Sequence, residues 1–387
     1  MSLTQTIREL FLRTYPGQPQ LFRAPGRINL IGEHTDYNEG FVLPAAIDKE
    51  IVYAVAPSPD AHSRVHAWNF GGEYTFDIRR LEPADKPNRW ANYLLGVVQQ
   101  LQRLGREVPP FNCVFGGNVP SGAGMSSSAA IECGLATALN DVFGLGLDRL
   151  DLVKAAQRAE NEFVGIKCGI MDQFASVFGQ AGRAIRLDCR SLEFSYFPLV
   201  LGDYELLLCD SGVHHSLAAS QYNTRRQQCE AGVQWLQKIY PQVRSLRDVT
   251  ADMLATHAPD LDPVVLRRCQ YVVAENQRLT DACLALERGD FGQVGRLLYG
   301  SHHGLQHDYE VSCPELDLLV GYAQAEPGIA GARMMGGGFG GCTLNLVRTD
   351  VVEDFVQRAA QRYKKTTNID LKTYRVHVAD GAGRVPE

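Results

Sequence analysis

Residues 111–139, FNCVFGGNVPSGAGMSSSAAIECGLATAL, constrain the local fold more tightly than any other stretch of the chain. FNCVFGG (111–117) reads as a strand. Gly122 and Gly124 then permit tight backbone geometry, and Ser126, Ser127 and Ser128 begin a helix whose apolar face includes Ile131, Leu135 and Leu139. A strand that turns sharply into a helix presents unpaired N–H groups and the positive end of the helix dipole, an arrangement suited to phosphate. Glycines let a bulky anion approach the backbone, and serine hydroxyls can add hydrogen bonds or a magnesium ligand. An ordinary serine-capped helix is the competing reading, because serine is common at N-caps.

Two familiar phosphate enzymes are excluded. A P-loop needs Gly-Lys-Ser/Thr, and the chain has no Gly-Lys dipeptide. Asp290-Phe291-Gly292 spells a protein-kinase tripeptide, but neither H-R-D nor V-A-I-K accompanies it. A further glycine run, RMMGGGFGGCTLNLV (333–347), formally matches G-x-G-x-x-G at 336–341. It leads into a strand, whereas a dinucleotide fingerprint opens a helix. Five glycines in six residues carry a large chain-entropy cost. They suit a place where backbone passes close to a ligand or another loop, with a purely structural turn as the alternative.

PGRINLIGEHTDYNEG (25–40) sets Arg27, Asn29, Glu33, His34, Asp36, Tyr37, Asn38 and Glu39 between Gly26 and Gly40. A surface loop could carry this density of polar groups, and so could a site for a small polar ligand.

The whole chain narrows the partners. At 387 residues it is long enough for two domains. Its formal charge is 38 − 44 = −6, without a long basic run, so nucleic acid and anionic membranes are not expected. No apolar stretch approaches the roughly 18 residues of a membrane helix, and the N-terminus reads as a short amphipathic helix without a signal-peptide core. The ten cysteines are scattered with no C-x-x-C pair, so buried free thiols and a cytoplasmic location are expected. His303 and His307 have i, i+4 spacing but lack the glutamate of H-E-x-x-H, and His214-His215 has no support as a metal pair.

Strands are expected at 50–56, 111–117, 183–188, 204–210, 342–347 and 373–379. Helices are expected at 90–104, 125–143, 148–164, 219–240, 264–287 and 351–363. The mixture lacks strict βαβ alternation, which points to α+β, with a boundary placed near 190–203.

In chain order, an N-terminal polar cluster, a central Gly-Ser helix start and a C-terminal glycine-rich turn, the three motifs resemble the GHMP small-molecule kinases. GRINLIGEHTDYNEGFVLPAAID is similar to the galactokinase signature within that family, and RWANYLLGVV, AENEFVGIKCGIMDQF, SQYNTRRQQCE, EVSCPELD and MMGGGFGGCT extend the likeness over most of the chain. The resemblance implies a two-domain α+β fold, with a ribosomal-protein-S5-like half over 1–195, a ferredoxin-like half over 196–387, and the active site in the cleft between them. It also implies ATP- and magnesium-dependent phosphorylation of galactose at C1. Carried over by motif, Glu33, His34, Asp36, Gly169 and Tyr222 meet the sugar, Asp172 is the base and Arg27 its partner. Gly122, Ala123, Gly124, Met125, Ser126, Ser127 and Ser128 meet the ATP phosphates, with Trp90 and Tyr93 beside adenine. Ser128 and Glu160 are the implied magnesium ligands. Kinases for N-acetylgalactosamine or arabinose, and a sugar sensor without turnover, are the competing functions. SSSAA, Asp172 and Arg27 are all in place, which weighs against the sensor. No obligate protein partner is expected.

Overall fold

The computed structural model describes residues 1–69, 71–120, 122–214 and 218–386. His215 lies outside the described residues. In chain order the strands of the first half are β1 (Gln20–Asn29), β2 (Phe41–Val42), β3 (Pro44–Pro57), β4 (Ser63–Ala67), β5 (Gly72–Phe76), β6 (Phe111–Gly117), β7 (Arg183–Asp188) and β8 (Phe194–Pro198). Those of the second half are β9 (Tyr204–His214), β10 (Ile329–Met334), β11 (Gly340–Arg348), β12 (Lys372–Val376) and β13 (Gly383–Arg384). A six-stranded sheet has the order β13-β1-β3-β6-β4-β5, a four-stranded sheet β10-β11-β9-β12, and a small sheet β2-β7-β8. All pairings are antiparallel except β4 with β6.

Every residue of β6 is buried, which explains why it is apolar at every position except Asn112. One face lies under the N-terminal helix Leu3–Thr14, where Ile7 and Phe11 pack with Val52, Ala54 and Val114. The other face joins Cys113 and Phe115 to the main core, with Leu94 and Val98 of helix Ala91–Arg103 and Leu135 and Leu139 of helix Ser127–Val142. Sheet membership changes between β8 and β9, and the chain end then returns: β13 pairs with β1, and Val378 bridges Ile47. The strand expected over 373–379 therefore stops at Val376. Beyond it His377 leaves the ladder with β9 and turns to Asp48, its Nδ1 lying 3.0 Å from Oδ2.

Helix 148–164 is also more than expected. The α-helix Arg149–Arg158 widens into a π-turn over Ala159–Val164, carrying Glu160. Such turns often mark functional positions, because they shift side chains off the helical register. All ten cysteines are free, eight of them buried. Asp290 caps helix Phe291–His307 through Gln293 N–H, which gives the D-F-G tripeptide a structural role.

Candidate active site

Strand β1 delivers the first functional side chain through a bulge. Its register with β3 shifts between Pro25 and Arg27, and a bulge re-aims the side chain that follows it. Arg27 is 5 % exposed and forks onto Asp172: Nε lies 2.8 Å from Oδ1 and Nη2 2.9 Å from Oδ2. Burial opposes the charge on Arg27, but the Asp172 carboxylate outweighs it and holds the guanidinium protonated. Arg27 also donates to the backbone of the Gly-Ser turn, through Nη1 to the Gly124 carbonyl and through its backbone N–H to the Met125 carbonyl.

Ser126 is not the capping serine of that turn. It occupies the N-cap position of helix Ser127–Val142 in a left-handed conformation, φ 56°, and its side chain does not cap the helix. The hydroxyl donates to Asp172 Oδ2 instead. Three protein donors thus converge on Asp172, whose carboxylate has about four acceptor positions.

The sugar-signature loop follows β1. Glu33 is buried, with Oε1 taking Arg333 Nη2 at 2.9 Å and Gly336 N–H at 2.8 Å. Arg333 is fully buried and also donates to the carbonyls of Leu30, Met334 and Asn29. His34 sits at φ 62°, with Nδ1 2.8 Å from the Tyr37 hydroxyl. Its ring packs 4.9 Å from Tyr309 and 5.4 Å from Tyr222. Burial lowers its pKa to about 3, so the imidazole is neutral at physiological pH. Its Nε2 has no hydrogen-bond partner of good geometry. Asp36 opens a 3₁₀ turn, Asp36–Asn38, and burial pushes its carboxyl up to about 6. The backbone amide of Tyr37 opposes that rise, while the charges of Asp172 and Glu33 add to it. Gly169 is what lets Asp36 sit here: a Cβ on Gly169 would lie 1.7 Å from Asp36 Oδ2.

A second acidic group lies on the other side of Asp172. Glu160, 5 % exposed on its π-turn, accepts from Gln173 Nε2 at 2.7 Å and from the Ser128 hydroxyl. Burial raises its pKa, and the charge of Asp172 adds to the rise. Glu132, fully buried one turn along the serine helix, takes Gln173 Nε2 at 3.3 Å. Burial holds its carboxyl well above the usual range, with Glu160 reinforcing the effect. Its Oε1 is buried without a well-formed bond. This donor set is all hard oxygen and short of positive charge, which fits a magnesium ion. No group of three His, Cys, Asp or Glu able to hold a metal occurs among the described residues. A magnesium ion shared with phosphates needs only one or two protein oxygens.

A cavity of about 400 Å³ joins these groups. Arg27, Glu33, His34, Asp36, Glu160, Gly169, Asp172 and Tyr222 line it, together with Gly336, Gly337 and Gly338 of the third glycine run. That run approaches both a side chain and a loop. A Cβ on Gly337 would touch Tyr222 at 3.5 Å, and one on Gly124 would meet the Met335 carbonyl at 3.4 Å.

The remaining expected phosphate-site residues are not in the cavity wall. Ala123 and Met125 bury their side chains in the core, so only their backbone is available to a ligand. Gly122 and Gly124 adopt φ 76° and 73°. Trp90 packs 5.8 Å from Phe115. Tyr93 is half-buried near the acids, its hydroxyl pushed up to about 12 by burial and then by Glu160 and Glu132. His303 and His307 face each other, ring centroids 4.5 Å apart, away from the cavity.

Sequence reasoning missed Arg333, Glu132 and Gln173. Arg333 adjoins the third glycine run and Glu132 follows the serine trio, so proximity to a motif was the available signal for both.

The model for the GHMP kinases N-terminal domain matches residues 92–180, the galactokinase galactose-binding signature residues 9–57, and the GHMP kinases C-terminal model residues 284–365. The chain is 43% identical to the galactokinase of Roseiflexus sp. (strain RS-1) over 99% of this chain and 97% of that one. It is 41% identical to the Thermotoga maritima galactokinase over 94% and 99%. Among solved structures, Lactococcus lactis galactokinase complexed with galactose superposes with a TM-score of 0.95 at 33% identity, covering 99% of this chain and 100% of that one. The Methanococcus jannaschii mevalonate kinase, at 16% identity and TM-score 0.66 over 94% and 99%, shares the fold. No helix among the described residues is long and apolar enough to cross a membrane. A two-part α+β architecture, a sugar-signature loop and third glycine run that line one cavity, and full-length similarity agree: the chain belongs to the galactokinases, within the GHMP kinase family.

Proposed function

We propose that the 400 Å³ cavity is where the chain moves the γ-phosphoryl group of ATP onto the C1 hydroxyl of galactose, giving galactose 1-phosphate and ADP. The observation that carries this reading is the Arg27–Asp172 fork, set between the sugar-signature loop and the Gly-Ser turn. Glu33, His34, Asp36 and Tyr222 form the sugar side. Glu33 has one oxygen committed to Arg333 and Gly336, which leaves Oε2 to accept from a hydroxyl. Gly169 holds its place by making room for Asp36.

In the reaction, the C1 oxygen bonds to the γ-phosphorus, the bond from that phosphorus to the bridging oxygen of ADP breaks, and the hydroxyl proton passes to Asp172. Three of its acceptor positions are used by Arg27 and Ser126, leaving room for that hydroxyl. Arg27 stabilises negative charge growing on the attacking oxygen. The 122–128 turn and helix start offer backbone N–H groups to the ATP phosphates, the Ser127 and Ser128 hydroxyls add to them, and Trp90 and Tyr93 lie to the adenine side. Ser128 and Glu160 would hold magnesium, which when bound neutralises phosphate charge. Residues 1–195 carry the sugar and Gly-Ser motifs, and 196–387 carry the third. Ten free thiols suit the reducing cytoplasm.

The test is ADP release from ATP and magnesium with galactose, glucose, N-acetylgalactosamine, arabinose or mevalonate, checking product mass. Turnover on galactose alone is expected. Preference for another sugar overturns the specificity, and galactose binding without turnover makes the chain a sensor.

A further inference from the structure

We propose a second, anion-binding site behind the sugar-signature loop, built from Arg186 and Arg247 and suited to a phosphate dianion, free or as a small phosphomonoester. The two arginines come from strand β7 and from the 3₁₀ turn Leu246–Asp248. Both guanidinium carbons lie over the Phe41 ring, at 4.0 Å and 3.4 Å from its centroid. They line a separate cavity of about 260 Å³ with Asp188, Glu193 and Ser195.

The donors in this cavity exceed the acceptors committed to them. The Arg186 side chain makes no hydrogen bond or ion pair among the described residues, and its Nε is buried without a partner. Arg247 spends Nη2 on Asp188 Oδ2 at 3.1 Å, while its Nη1 is buried and unpartnered. Asp188 already accepts the backbone N–H groups of Arg190 and Ser191 at Oδ1 and Arg247 at Oδ2, and it makes no bond to Arg186. Neighbouring Arg190 is already bound to Glu39 and Asp248. Burial disfavours charge on Arg247, and after the opposing pull of Asp188 come the repulsions of Arg190 and Arg186. Glu193 is the one opposing carboxylate in the wall without a side-chain partner among the described residues, and it is exposed. Buried guanidinium N–H groups left unpaired are costly, and a phosphate oxygen is the acceptor that matches their fork. The cavity is smaller than the roughly 300 Å³ at which drug-sized pockets begin, which selects inorganic phosphate or a small phosphorylated metabolite over a nucleotide.

Phe41 ties this pocket to the sugar loop. Its N–H donates to Asn276 Oδ1 at 2.9 Å, and its carbonyl accepts from Thr35, the residue between His34 and Asp36. An anion that clamps the two arginines therefore bears on the far anchor of the loop that reads the sugar.

The test is calorimetric titration of inorganic phosphate, then of glycerol phosphate, into the full chain. The active site is kept filled with galactose and a non-hydrolysable ATP analogue, at constant ionic strength, with acetate as control. One phosphate per chain is expected, weakened about tenfold by Arg186→Gln and strengthened by Glu193→Gln. Tighter binding of glycerol phosphate assigns the site to a phosphomonoester, and equal binding assigns it to free phosphate. The Arg186 side chain has no hydrogen bond or ion pair to lose among the described residues, and the Phe41 ring it stacks on keeps Arg247 over it, so its variant retains the fold. Absence of phosphate binding, binding equal to that of acetate, or affinity unchanged in Arg186→Gln overturns the proposal.

Discussion

The sugar end and the phosphate end proposed for this site solve opposite problems. At the sugar end the backbone anchors of the loop are satisfied before a ligand arrives. Gly32 N–H donates to Glu275, the Tyr271 hydroxyl to the Glu33 carbonyl at 3.0 Å, and Asn38 to the His34 carbonyl at 2.8 Å. At the phosphate end charge is left unbalanced: the Asp172 charge adds to the cost of ionising both Glu160 and Glu132, Glu160 adds to that of Glu132, and the serine helix lacks a side-chain cap. A neutral sugar is told from its epimers by fixed acceptors, so rigidity serves that end. Phosphoryl transfer depends on neutralising charge, so an acidic cluster beside bare helix N–H groups serves the other.

The sharpest way to break this division is at the point where the ends meet. Asp172→Asn should lower kcat by roughly 10²–10⁴ if Asp172 takes the proton, with galactose binding retained because the loop anchors are untouched. A fall of less than about tenfold in a folded variant would leave Asp172 a positioning group.

Arg333→Met tests whether the sugar end is pre-built by tertiary contacts. It strands the buried Glu33 carboxylate and three backbone carbonyls, so a loss of about 3–5 kcal/mol in urea unfolding is expected. Adding Glu33→Leu should recover part of that stability without restoring activity. If the double variant is no more stable than the single one, the cost does not come from the stranded carboxylate.

Ser128→Ala probes the phosphate end. The magnesium concentration giving half-maximal rate should rise at least about tenfold, while the KM for galactose stays within about twofold. Unchanged magnesium dependence removes Ser128 from the metal set.

Gly169→Ala should act at the sugar end alone. A Cβ 1.7 Å from Asp36 Oδ2 must displace that carboxylate, so the KM for galactose should rise about tenfold and the KM for ATP should not. An equal rise in both would show that the Gly169 segment serves both ends.

How far this division was legible follows from the range of the interactions. The sugar and serine motifs are contiguous, so their residue types and turn chemistry announced polar recognition and an anion-seeking helix start. Strand β6 was readable because it is buried on both faces and therefore apolar at every position but Asn112. Long-range partners were not readable. Arg333 lies 300 residues from Glu33, and no local rule distinguishes it from a surface arginine. Ser126 looked like a cap, yet its left-handed backbone sends the hydroxyl to Asp172, 46 residues away. The strand at 373–379 was read three residues too long, because its alternation continues past the point where Asp48 draws His377 off the sheet.

The smallest effect separates function from stability within the sugar end. Burial raises the Asp36 carboxyl from 3.8 to about 6, so the native state binds this proton more tightly than the unfolded chain does. Between those values the contribution of Asp36 to stability falls as pH rises, and above pH 6 it is a fixed cost of about 1–3 kcal/mol. Asp36→Asn should therefore be more stable than the parent at pH 7, with the gap closing as pH drops from 6 to 4. Its activity should move the other way. An ionised Asp36 accepts a sugar hydroxyl well and a protonated one poorly, so the parent's KM for galactose should climb severalfold below pH 6. In Asp36→Asn that KM should start high and stay flat. His34 cannot produce the same limb, because burial keeps it neutral until about pH 3. An acid limb surviving in Asp36→Asn would move the titrating group to the acidic cluster, and with it the pH sensitivity from the sugar end to the phosphate end.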